Sequence, residues 1–190
     1  MIGVDLESKL PYNTYNTTRG FGYAILKYLM VNNEQIWKLL KYDTPDALSK
    51  PNLTMEEKRK LIWKGTGDAE EYRVFRSPFL DDAITSQISQ LRIYNSVFSP
   101  DNRSVGTIDI GIECLCHNKI VNLDNYESRP EVMIQQVIEC LNGQDIAGVG
   151  VLAFDKDMSV YDVCRMNVYN NRNFFGYSLW ISAKVGDINV

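Results

Sequence analysis

"RPEVMIQQVIECLNGQDIAGVGVLAFD", residues 129–155, is the stretch whose reading decides the fold. Met133, Ile134, Val137, Ile138 and Leu141 recur at helical spacing and predict one buried face. Ser128 stands where an N-cap belongs, Pro130 falls in the first turn, and Glu131 completes a capping-box spacing with Ser128. Asn142-Gly143 predicts a stop in a left-handed turn, which Gly enters without a Cβ clash. The apolar strand "GVGVLAFD" follows at once. The joint carries no catalytic side chain, so its information is architectural.

Upstream, "VGTIDIGIECLCH" (105–117) places Ile108, Ile110, Ile112, Cys114 and Cys116 at a strict period of two. Thr107, Asp109, Gly111, Glu113 and Leu115 fall on the opposite face, which predicts a half-buried strand with one solvent side. "SQLRIYNSVF" (89–98) alternates in the same way, with Leu91, Ile93 and Asn95 on one side. "NRNFFGYSLWISAKV" predicts a last strand, hairpin-like with its neighbour. Before these strands the pattern is helical. Phe21, Ile25, Tyr28 and Leu29 share one helix face, with Thr17 or Thr18 as the cap. Ile36, Leu39 and Leu40 share a second. Thr54 and Glu57 form a capping box ahead of a third helix, with Gly65 beyond it.

The predicted organisation is an extended arm (1–16), a helical region (17–65), a long interaction loop (66–88) and a core (89–190), all in a single domain. The fold class is α+β: a mostly antiparallel sheet backed by one long helix, with an N-terminal helical arm. At 190 residues the chain is long enough to bury a core without staples. The net charge of −4 argues against a broad nucleic-acid or lipid surface. No apolar run reaches the ~18 residues of a membrane span, and the first residues lack a signal-peptide pattern. Reduced thiols in a cytosolic setting are therefore expected for Cys114, Cys116, Cys140 and Cys164.

The residues that could carry chemistry are weighed against simpler readings. "CLCH" offers thiols and an imidazole that zinc would accept, but only one residue separates Cys114 from Cys116, where zinc sites use two to four. Both continue the Ile108–Ile112 face, and Cys140 adjoins Leu141, so these three read as small core residues. His117 has no orienting partner in sequence for base catalysis. "GFG" (20–22) and "GVG" (148–150) lack the Lys and helix order of a phosphate loop. "EEKRK" (56–60) reads as a solvated helix face. No enzyme activity, cofactor or metal is expected. The aromatics of the first hundred residues are more informative, because an aromatic-rich segment that cannot form its own core resembles an interface.

Residues 21–62, "FGYAILKYLMVNNEQIWKLLKYDTPDALSKPNLTMEEKRKLI", resemble the N-terminal region of virion neck proteins from large tailed bacteriophages. Residues 129–155 resemble the helix–strand joint of the same proteins and of tail-terminator-like proteins. The resemblance covers roughly 21–184. It implies a tail-terminator-like fold and a virion structural protein, made and assembled in the host bacterial cytoplasm. That protein forms a six- or twelve-fold homo-oligomeric ring in the head–tail connector. Its implied partners are portal, adaptor or tail proteins, and DNA passes its lumen without specific binding. On this reading Tyr12, Tyr15, Tyr72, Phe75 and Phe79 are expected at intersubunit contacts. Asp109 and Glu113 are expected to face the lumen, where negative charge repels phosphates. The competing reading is a small cysteine-cluster module that binds metal or regulates.

Overall fold

The structure is a computed structural model and describes residues 20–78, 86–100, 105–153, 164–169 and 173–186. The expected arm 1–16, Tyr12, Tyr15, Thr17, Thr18 and Phe79 lie outside the described residues.

Four α-helices occur among the described residues: α1 (Phe21–Asn32), α2 (Glu34–Lys41), α3 (Met55–Lys60) and α4 (Arg129–Leu141). The strands are β1 (Val74–Phe75), β2 (Ser89–Pro100), β3 (Val105–His117), β4 (Asp145–Ile146), β5 (Gly150–Ala153), β6 (Cys164–Tyr169) and β7 (Phe174–Gly186). They form one sheet in the order β1-β2-β3-β7-β5-β4, with β6 also paired to β7. All pairings are antiparallel except β1 with β2. The α+β class expected from the sequence is the class observed. β5 and β6 share one edge of β7, β5 at Ser182–Ala183 and β6 at Phe174–Leu179.

The helices cover one sheet face. Ile108, Ile110, Ile112 and Cys114 of β3 enter a single core with Ile25, Leu29, Ile36, Leu39, Leu40, Met133, Val137 and Leu141. Helix α4 lies on β3 and β7, while α1 and α2 lie on β2. So the backing layer holds three helices rather than one. Where α1 ends, Trp37 Nε1 donates to Leu29 O at 3.1 Å and Lys58 Nζ donates to Met30 O at 2.7 Å. Lys58 also pairs with Glu34 and is fully buried. Leu29 O thus takes Trp37 as a second donor beside the N–H of Asn33, and Met30 O is satisfied by a cation at the negative pole of the helix. The same buried lysine fixes α3 to α1.

Two expectations about helix ends differ in outcome. The Thr54–Glu57 capping box is present. Ser128 makes no side-chain cap to α4. It instead closes a small loop through an antiparallel bridge with Asn122, and Glu131 accepts from Tyr177 Oη at 2.9 Å. Ser128 is held by backbone pairing, and Glu131 is drawn toward β7.

The helix stop is as expected, but the strand does not follow at once: β4 and a turn at 147–149 precede β5, which pairs back on β4. Gly143 has φ +74, its N–H donates to Leu152 O at 2.7 Å, and Leu152 N–H returns to Gln144 O at 2.9 Å. A Cβ at Gly143 would meet nothing within 4 Å, so any substitution cost lies in the backbone alone. Gly143→Val should therefore destabilise by more than ~1 kcal/mol, because a β-branched residue is strained at positive φ. A melting curve unchanged by the substitution would contradict the assignment. Gly176 serves a different purpose: a Cβ there would overlap the Cys114 carbonyl and come within 2.9 Å of Leu115 Cα.

Three features depart from the sequence reading. The 66–88 stretch is not a plain loop. It contains a 3-10 turn (Ala69–Glu71) and β1, and Arg73 and Val74 both donate to Leu61 O. β2 carries an irregularity between Asn95 and Val97, which returns Phe98 to the core side. Finally, β3 is not half-solvated. From Gly111 to His117 both of its faces are buried, because residues 63–78 fold over the second face. Phe75, Ile88 and Phe174 form a small core there, flanked by Trp63, Ala69 and Tyr72.

Candidate functional site

The second sheet face is where the sequence-predicted site residues that the structure describes fall. Phe75 is fully buried inside its own chain. This corrects its expected place at an intersubunit contact: its register opposite Arg92 turns it onto the sheet. Tyr72 packs against the same cluster and is part-buried.

Glu113 is a second correction. It is 5% exposed and cannot present free charge to a lumen. It sits opposite Arg92 in register, and Arg92 Nη1 reaches Glu113 Oε2 at 3.2 Å. Tyr94 Oη donates to Glu113 Oε1 at 2.9 Å, and Arg92 Nη2 donates to Gln90 Oε1 at 3.1 Å. Arg92 Nη1 also donates to Pro78 O at 3.1 Å. The pair thus ties the covering segment to the sheet. Burial was not legible because the covering residues arrive from a different part of the chain. Asp109 remains part-exposed and accepts from Ser182 Oγ at 2.6 Å.

Among the described residues the thiols and the imidazole form no cluster that could hold a metal. Cys114 and Cys116 are buried, and alternation along β3 turns them to the opposite face from His117. Burial pushes the Cys116 thiol up to about 12, against the pull of nearby Arg129. Such a thiol is neither nucleophile nor ready metal ligand.

His117 is buried at the end of β3, edge-on to Phe174 with ring centroids 5.2 Å apart. Its Nδ1 accepts from Lys119 N–H at 3.2 Å. Burial, with a smaller push from Lys119, lowers its pKa. The folded chain therefore holds the neutral ring, while the unfolded chain takes up a proton near pH 6.5. The stability this contributes is full above that pH and is lost as pH falls through the depressed folded value. Melting curves between pH 7.5 and 5 should show a decline that His117→Gln flattens, since an amide oxygen can still accept from Lys119. Identical pH profiles for the two chains would contradict it.

Sequence reasoning missed Arg129. Its position at the start of an amphipathic helix reads as solvent-facing, yet it is wholly buried. Nε donates to Ile120 O at 2.8 Å; Nη1 to Leu39 O at 3.0 Å and Tyr42 O at 2.8 Å; Nη2 to Thr44 O at 2.7 Å. The guanidinium satisfies the open carbonyls at the C-terminal end of α2 and pins α4 to it. Asp43 lies nearby, with Arg73 Nη2 3.6 Å from Oδ2. Burial raises the Asp43 pKa against the opposing pull of Arg73 and Arg129.

Sequence reasoning also missed Tyr126. It is 96% exposed, and its φ of +68 makes it the one non-glycine residue at positive φ among the described residues.

Among the described residues no helix is long and apolar enough to cross a membrane. Residues 33–182 match the YomW family, from the cap of α2 to β7, and the chain belongs to that family. It is a phage-like Bacillus gene-name family, so the protein is phage-related. No curated protein matches the chain.

Proposed function

We propose that this member of the YomW family is a virion structural protein that forms a ring in the head–tail connector of a tailed phage, joining portal or adaptor to tail. One observation carries the reading: among the described residues, the buried charged and thiol side chains are engaged in holding the fold together. Arg129 and Lys58 hold helix-end carbonyls, Glu113 holds Arg92, and the Cys116 thiol is held protonated. They build a rigid helix-on-sheet unit, and a rigid unit repeats around an axis without distortion. The phage-related family and the neck-protein resemblance of residues 21–62 and 129–155 give that unit a setting.

In the ring, Asp109 is the carboxylate of β3 available to a lumen, where it would keep passing DNA from binding. Residues 1–16, with Tyr12 and Tyr15, and residue Phe79 reach neighbouring subunits. The ring has six or twelve copies, matching a tail or a portal. No catalysis, cofactor or membrane enters this function. Electron microscopy of whole particles tests it. The expected result is symmetric density for this chain between capsid and tail. Particles whose neck holds no copies of it would sink the proposal.

A further inference from the structure

Tyr126 stands on a loop built to hold it. The loop closes through the Asn122–Ser128 bridge. Inside it Leu123 N–H donates to Glu127 O, Tyr126 N–H to Leu123 O, and Glu127 N–H to Asn125 Oδ1, all at 3.0–3.1 Å. Leu123 is buried, and Asp124 N–H donates to Pro45 O at 3.1 Å. A tyrosine in the left-handed region costs backbone energy, which persists only where surrounding structure enforces it. Here that structure displays an aromatic side chain to solvent from a held backbone. Tyrosine contributes disproportionately to interfaces because it brings large contact area at low entropic cost. Asp124 and Glu127 flank it, both exposed.

A complementary surface lies elsewhere on the chain. Tyr23, Lys27 and Val31 form one exposed stripe of α1 at i, i+4 and i+8. Tyr23 is 56% and Val31 62% exposed, and Lys27 is the only charged residue of α1. The two surfaces sit at opposite ends of α4. Arg129, at its start, binds residues 39–44 beside the Tyr126 loop. Past its far end, Gln144 accepts from Tyr28 Oη at 3.1 Å on α1. Thirteen helical residues separate these ends by about 20 Å. One copy cannot join its own two surfaces, but it can join each to a different neighbour. Two unlike patches meeting head to tail is the contact a ring requires.

We propose that Tyr126 packs against the Tyr23–Lys27–Val31 stripe of an adjacent copy, with Asp124 and Glu127 facing Lys27. This inference rests on the ring reading and assigns that ring its subunit contact.

The test is cross-linking with a bis-maleimide, on the purified full chain and on whole particles, with the unmodified chain as control for its native cysteines. A chain carrying both Tyr23→Cys and Tyr126→Cys should give a ladder of dimers and higher species. A mixture of the two single variants should give dimers, and neither variant alone should give any. Lys27→Glu should abolish the ladder, and adding Asp124→Lys and Glu127→Lys should restore it. Tyr126→Gly separates folding from contact: it relieves the positive φ, so its Tm should hold or rise while self-association weakens at least about tenfold. Dimers from Tyr126→Cys alone, or no ladder in particles that show a symmetric ring of this chain, would overturn the contact and leave the ring reading standing. A ladder from the purified chain together with particles lacking such a ring would overturn the ring reading and leave the contact.

Discussion

Arg129→Ala should lower the stability of the chain by about 3–5 kcal/mol, or leave it unable to fold. The magnitude follows from what remains behind. The carbonyl oxygens of Leu39, Tyr42 and Ile120 lose the donor that the buried guanidinium supplies, Leu39 O in a fully buried bond, while Thr44 O keeps the N–H of Ala47. Each buried acceptor left unsatisfied costs roughly 1–3 kcal/mol, and relaxation recovers part of the sum. Asp43 would also lose one of the three cations, Arg73, Arg129 and Lys41, that oppose its desolvation. Arg129→Lys should recover little, because an ammonium has one nitrogen and no fork, whereas these bonds use all three guanidinium nitrogens. Chemical denaturation of the three chains decides the matter. A loss below ~1 kcal/mol for the alanine variant would mean the carbonyls find other donors, and the proposed rigidity of the α2–α4 junction would go with it.

The sequence made the helix-side half of this molecule legible and the other half not. Ile108, Ile110 and Ile112 announce their face by period, and Gly143 announces its turn by identity, since few other residues adopt φ +74 cheaply. These are local signals. Glu113 has the same local pattern as Asp109, and nothing within the strand separates the buried carboxylate from the part-exposed one. What separates them is residues 63–78 folding back over the sheet, a tertiary event with no periodic trace. Phe75 was misplaced for the same reason, as a two-residue parallel strand is too short to show alternation. Arg129 was hidden by the rule that arginine in a helix's first turn faces water. Its burial follows from the end of α2 arriving at the same point. Tyr126 had one weak signal in "LDNYES", where Asp and Asn mark a turn, but its φ could not be read from composition.

Glu113→Leu should cost about 3–5 kcal/mol, while Arg92→Met together with Glu113→Leu should cost far less, or nothing. The asymmetry comes from desolvation. The two side chains are 9% and 6% exposed, so removing the carboxylate alone leaves a guanidinium buried without its counter-charge, which is the expensive state. Removing both charges leaves apolar groups of similar volume, an exchange that is commonly neutral or stabilising. Arg92 also donates to Pro78 O and Gln90 Oε1, and Tyr94 donates to Glu113. The double variant should therefore loosen the covering segment even where global stability is kept. Amide exchange at Arg73 and Val74, whose N–H groups are held by Leu61 O, reads that effect. Faster exchange there at unchanged Tm would show that the ion pair fixes where residues 63–78 lie, rather than how stable the sheet is. A double variant as unstable as the single one would show instead that the pair itself contributes net stability. In that case the polar character of this sheet face, Asp109 included, would need no functional account beyond folding.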